Sequence, residues 1–213
     1  MSSPANELPS GATSALPTLT VPEISFLDTN AYALLLYGVP ADADTRLRGR
    51  LSNGTHIKAV ISEMTALEIH SVVGQFSRGQ TGGVHKCDRN IATPTGTSPC
   101  SSQWQQASRK PLRPLEIARL RKAIKDAENG HGPIQLTVIP LESADLSKGK
   151  IFLYGHATSS NFGSHDAVIA AAASRYMGGV NVRVITSDKG LKSLLRAVRQ
   201  QYYDPQKDEC WNP

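Results

Sequence analysis

Four carboxylic acids stand where apolar segments of the chain stop or turn polar. Asp28 follows "ISFL", Asp188 follows "VRVITS", Asp166 precedes the run "AVIAAAA", and Glu68 lies inside "TALEI". Each has an ordinary explanation. An Asp after a strand caps the next helix, an Asp in a first turn favours the helix dipole, and Glu68 could face solvent. Yet Glu68 is flanked by Ala66, Leu67 and Ile69, and Asp166 precedes the unbroken apolar run Ala167 to Ala173. A carboxylate buried in such surroundings needs a partner, and for most of the four no Lys or Arg stands beside it in sequence. Two such charges about 5 Å apart repel by roughly 3 kcal/mol at an effective dielectric of 20. A hard dication, Mg²⁺ or Mn²⁺, relieves that repulsion with oxygen ligands and retained water. It also activates water and stabilises charge on a phosphodiester.

Two neighbouring residues compete for roles. Glu63 lies five residues before Glu68, about 140° away around a helix, so the two cannot point the same way. Glu68 is favoured and Glu63 is expected outside the cluster. His165 adjoins Asp166; a surface position at a helix start is expected, with substrate contact as the alternative.

The four acids converge only if the elements around them stack in parallel. "ISFL" (24–27), "HIKAVIS" (56–62), "IQLTVIP" (134–140) and "VNVRVIT" (180–186) are short apolar strands. Helical patterns separate them. Asp28 opens one that Gly38 stops, and Ser62 is an N-cap for "EMTALEIHSVVGQF". Pro114 suits a first helical turn; Ile117, Leu120, Ile124 and Ala127 make its stripe and Gly130 closes it. A helix covers roughly 142–153, another runs from near Ser164 to Gly178, and Leu191, Leu194, Leu195 and Val198 mark the last. Strands alternating with helices predict an α/β domain with a mainly parallel sheet. In such sheets, sites gather outside the carboxyl ends of the strands, which is where Asp28 and Asp188 fall.

At 213 residues, one domain with a substantial core is expected. Residues 1–22, rich in Ser, Pro, Ala and Thr, read as a flexible N-terminal extension. The folded domain is expected over 23–204, with a Gly/Ser/Pro-rich basic insertion at about 77–113, its stretch 77–110 a long loop, and an irregular tail at 205–213. The net charge is +5. Between Phe76 and Lys125, ten Lys or Arg face two acids, Asp88 and Glu116, a local net of +8. Such a surface attracts phosphate backbones. A solvated face or an acidic partner are the alternatives. No apolar run reaches the roughly 18 residues of a membrane span, and no signal pattern opens the chain, so a cytoplasmic protein is expected. Cys87, Cys100 and Cys210 form no disulfide framework. "HKC" at 85–87 with Cys100 offers zinc ligands without paired CxxC spacing, so plain loop thiols are favoured.

Taken in order, "FLDTNAYALLLYG", "ISEMTALEI", "SHDAVIAAAA" and "VITSDKGL" resemble the acidic motifs of the PIN-domain ribonucleases. They are most like those of the VapC-type toxins of bacterial toxin–antitoxin systems. The resemblance covers about residues 24 to 200. It implies a three-layer α/β/α sandwich, a Mg²⁺- or Mn²⁺-dependent endoribonuclease, an antitoxin protein as partner, and often a homodimer. By motif, Asp28, Glu68, Asp166 and Asp188 would be the acidic quartet. Thr29 and Asn30 would support Asp28, while Thr186 and Ser187 would line the site near Asp188. Asp28, Asp166 and Asp188 would hold one or two ions, and Glu68 would hold a second ion or orient the attacking water. Arg109, Lys110, Arg113, Arg121, Lys122 and Lys125 are candidates for RNA backbone contact. The long insertion departs from the compact toxins. A different class is a non-catalytic module of the same fold that binds RNA or protein without cutting. An aspartyl-phosphate enzyme is disfavoured, because "FLDTN" lacks a second Asp two residues on.

Overall fold

The computed structural model describes residues 23–52, 56–79, 81–87, 90–100, 103–106, 108, 110–131, 133–158, 162–177 and 181–213. The expected extension at 1–22 and Arg109 lie outside the described residues. Strands β1 (Glu23–Leu27), β2 (His56–Ser62), β7 (Leu136–Ile139), β8 (Asn181–Ile185), β9 (Tyr202–Asp204) and β10 (Glu209–Trp211) form one sheet in the order β10-β9-β8-β1-β2-β7. All neighbours are parallel except β9 and β10. The chain leaves β1 for β2 on one side and later returns to β8 on the other. The carboxyl end of β1 is therefore a switch point of the sheet, the place where such folds open a crevice.

Helices cover both faces, because side chains alternate along each strand. Ile24, Phe26, Val60, Val182, Val184 and Tyr202 face α5 (Ser143–His156), α6 (Ser164–Tyr176) and α7 (Lys189–Ala197). Leu27, Ala59, Ile61, Leu136, Ile185 and Tyr203 face α1 (Thr29–Tyr37), α2 (Ala41–Leu51), α3 (Glu63–Arg78) and α4 (Pro114–Glu128). The result is the expected three-layer α/β/α sandwich. Each fully buried Leu or Ile at these faces contributes about 1.5–3 kcal/mol. On one face the alanines of α6, Ala170 to Ala173, are wholly buried. A Cβ on Gly149 of α5 would meet Val168 Cγ2 at 3.4 Å and the Ala167 carbonyl carbon at 3.5 Å, so these two helices pack backbone-close. Arg175 grips Asp145 with two bonds of 2.8 and 3.0 Å and Glu142 with one of 2.7 Å, tying α6 to the start of α5.

Three segments are not as the sequence pattern reads. Residues 41–51, a polar segment given no element above, are helical. Only Ala43 and Leu47 are buried there, while Asp42 pairs with Arg46 and Asp44 with Arg48 along the exposed side. The tail expected to be irregular contains β10, which joins the sheet and stacks Trp211 on Tyr202 at 5.9 Å.

The third difference lies in the segment expected to be a loop. It contains β3 (Gly83–Lys86), β4 (Asn90–Thr93), β5 (Gly96–Pro99) and β6 (Gln103–Gln106). β3 pairs with β6 and β4 with β5, both antiparallel, and in both ladders the paired residue numbers add to 189. The two ladders are thus one hairpin arm with an interruption and no change of register. Its root is tight: a Cβ on Gly82 would come within 2.8 Å of the Ser108 backbone nitrogen.

Candidate functional site

Asp28 is the first residue past β1 and caps α1. Its Oδ1 accepts from Ala31 N at 2.6 Å and its Oδ2 from the Thr186 hydroxyl at 2.5 Å. Asp188 is three residues past β8 and caps α7, accepting from Leu191 N at 2.9 Å. The Asp188 N–H donates to Thr186 Oγ1 at 3.0 Å. One fully buried hydroxyl therefore links the two strand ends, donating to Asp28 and accepting from Asp188. A threonine is suited to this because its hydroxyl does both jobs at once.

Glu68 comes from the second turn of α3. It accepts from the Thr29 hydroxyl at 2.5 Å and stands 3.7 Å from His165 Nδ1. Asp166, in the first turn of α6, accepts from Gly163 N at 2.8 Å. The amino ends of α1, α6 and α7 point into this edge and offset part of the negative charge.

The electrostatics join the four. Asp28 is 3% exposed. Burial pushes its pKa up from 3.8 to about 7, against the lowering bonds from Thr186 and Ala31; the charges of Asp188 and Asp166 raise it further. The Asp166 carboxyl is also raised, first by burial and then by Asp188 and Glu68; the Gly163 N–H and His165 oppose this. Among the described residues, none of the four forms an ion pair with Lys or Arg. An all-oxygen donor set with unrelieved repulsion suits a hard dication. Also among the described residues, no three His, Cys, Asp or Glu side chains are grouped so as to hold one ion. With the side chains as they stand, a dication would take at most two carboxylates directly and fill its shell with water.

Glu63 is turned away: it accepts from Leu141 N at 2.8 Å, outside the cluster. Thr29 supports Glu68 instead of the expected Asp28, because its hydroxyl reaches across from α1 to α3. Asn30 is exposed and lines a cavity beside Asp188. Ser187 lines the same cavity, but its hydroxyl donates to Asp204 at 2.7 Å. Asp204 in turn is paired with Lys192, both at least 95% buried. Sequence reasoning missed this pair. Its one local signal is a lysine beside Leu191 and Leu195, on the side of the helix that carries its leucines, where a charge needs a partner. Lys192 and the Ser187 hydroxyl hold the Asp204 carboxyl below its usual range, against burial.

The basic candidates Lys110, Arg113, Arg121, Lys122 and Lys125 are all exposed. Arg113 is paired with Glu116 at 3.2 Å and Lys122 with Asp126 at 2.5 Å, so part of that charge is already met. Cys87, Cys100 and Cys210 form no disulfide among the described residues. No described helix is long and apolar enough to cross a membrane.

Two cavities flank the acids. One, of about 800 Å³, lies against α1 and the end of α3; the other, of about 550 Å³, lies against the start of α6. Another cavity, against Ala59 and Leu136 near the amino ends of β2 and β7, touches none of the four.

No family model matches the chain, and no curated protein matches it. Among solved structures, it is similar to a chain in the crystal structure of VapBC2 from Rickettsia felis bound to a DNA fragment from their promoter. The TM-score is 0.49 and the identity 11%, over 85% of this chain and 98% of that one.

Proposed function

We propose that the chain is a metal-dependent endoribonuclease that cuts phosphodiester bonds at the Asp28–Glu68–Asp166–Asp188 edge. One observation carries the reading. Carboxylates from four separate elements are coupled electrostatically at the carboxyl edge of the sheet, and two of them are raised by burial and mutual repulsion with no Lys or Arg paired to them among the described residues. A site built to be stable by itself would not gather these charges; one built to receive a cation would.

Asp28, Asp166 and Asp188 would hold Mg²⁺ or Mn²⁺, in part through water. The bound dication supplies a more acidic water and neutralises charge developing on the phosphate. Thr186 keeps Asp28 and Asp188 in fixed relation, so their spacing does not depend on the ion. Glu68, steadied by Thr29, is placed to orient a water or take its proton. The amino ends of α6 and α7 add partial positive charge where a phosphate would lie. On the resemblance of its motifs, the biological setting we infer is the toxin of a toxin–antitoxin pair, restrained by an antitoxin protein and acting as a homodimer.

The test is cleavage of RNA by purified protein with Mg²⁺ or Mn²⁺, with EDTA, and with Asp188→Asn. Cutting that needs the ion and is lost in the variant supports the reading. Binding of RNA without cutting under every metal condition would overturn it in favour of a binding module of the same fold.

A further inference from the structure

Asp188 and Lys189 form a ridge between the two cavities, since both residues line each of them. On one side the wall is apolar and aromatic. Leu34 and Tyr37 of α1 meet Phe76 of α3 there, and the Tyr37 and Phe76 rings lie 4.6 Å apart, tilted by 60°. Leu112 closes that wall, its N–H bonded to Phe76 O at 3.1 Å. On the other side the lining is more polar, with Gly163, Gly190 and Ser193 beside Asp166 and Phe162 as its one aromatic. Lys189 is exposed and makes no ion pair among the described residues.

We propose that the larger cavity is a nucleobase subsite: it takes one base of the strand whose phosphodiester crosses Asp188, with Lys189 against that phosphate. This rests on the nuclease reading above. A nucleotide needs three environments in a row. Its base needs apolar and aromatic walls, its phosphate a cation, and the sugar-phosphate chain beyond it a more polar trough. The apolar cavity, Lys189 and the Gly163–Ser193 cavity provide them in that order. The aromatic wall stacks on any base and so selects for an unpaired base more than for its identity. An apolar protein segment would use the large cavity alone and gain nothing from Lys189 or the polar trough.

The experiment places 2-aminopurine at each position in turn of a short RNA and reads its fluorescence on wild-type protein in EDTA, where binding proceeds without cutting. Quenching is expected at one position, next to the phosphate that is cut when Mn²⁺ is added. Making that single nucleotide abasic should weaken binding about tenfold, the scale of one base–aromatic stack. Ala33→Phe, which fills the cavity, should remove both effects while the Mn²⁺-induced rise in Tm persists. Equal fluorescence at every position of a bound RNA, or unchanged RNA affinity in Ala33→Phe, overturns the subsite. If that RNA is still cut, the nuclease reading survives. Quenching at one position in a protein that never cuts would leave the base subsite standing and sink the nuclease instead.

Discussion

Replacing Asp28 with Asn should make the metal-free protein more stable at pH 8. The ionised carboxylate is buried, and its pKa stands at about 7 against 3.8. That gap is worth roughly 4 kcal/mol at about 1.4 kcal/mol per pH unit. The sign follows from proton counting. Between about pH 4 and 7 the folded state holds the Asp28 proton and the unfolded chain has lost it, so stability falls as pH rises. Above about 7 the full penalty of a buried anion remains. Asn carries no charge and still caps α1 through Ala31 N, but its amide nitrogen cannot accept the Thr186 hydroxyl. Losing that bond costs about 1–1.5 kcal/mol, leaving a net gain of about 2–3 kcal/mol at pH 8. Urea unfolding in EDTA from pH 4 to 8.5, with wild type and variant side by side, isolates the effect as the difference between two curves. At pH 4 the variant should be the less stable by about 1 kcal/mol, the lost bond alone; the difference should change sign near pH 5 and reach its plateau near pH 7. Saturating Mn²⁺ should narrow the gap, adding about 2.7 kcal/mol to wild type at a hundred times its Kd and less to the variant. A difference that is flat with pH, or largest at pH 4, would refute the buried-anion argument.

Three other perturbations probe the same edge. Thr186→Val removes the hydroxyl between Asp28 and Asp188; denaturant titration should show a loss of about 2 kcal/mol, with weaker Mn²⁺ binding by calorimetry because Asp28 becomes harder to ionise. Lys192→Met leaves the Asp204 carboxylate buried without its cation and should cost about 3–5 kcal/mol at pH 7. Because the pKa of Asp204 is depressed, the wild-type advantage should be present above the ordinary carboxylate pKa and fade as pH falls through the folded value; Lys192→Met combined with Asp204→Leu should recover most of the loss. Asp188→Asn should fold, bind RNA and lose most cleavage in a gel assay with saturating Mg²⁺; cutting at the wild-type rate would return Asp188 to the role of a helix cap.

Legibility from sequence followed burial. β1, β2 and β8 sit between two helical layers, so they read as short, mostly apolar runs despite Ser25, Lys58 and Arg183, and Asp28 and Asp188 follow the ends of β1 and β8. α6 announced itself as an alanine run with one acid in front. By contrast α2 buries only Ala43 and Leu47, so its stripe is too thin to register against eleven mostly polar residues. The hairpin arm shows Val84 and all of β5 to solvent, and its Gly, Ser and Thr content fits a loop as well as a ribbon. The Thr29–Glu68 and Lys192–Asp204 contacts join separate elements, and no local pattern predicts which hydroxyl reaches which acid. The offset between Glu63 and Glu68, a matter of helix geometry alone, was readable in advance.

The tight root of the hairpin arm has a consequence for how this chain could have acquired it. Gly82 and Ser108 are nearly in contact, so the arm enters and leaves the body at one point, between the end of α3 and the approach to α4. Among the described residues, neither core cluster includes one from the arm. Such an element can be gained or shed in one step, since joining its two ends by a short linker leaves the path of the remaining backbone almost unchanged. A change in the length or charge of the arm would then leave the sandwich and its acidic edge in place.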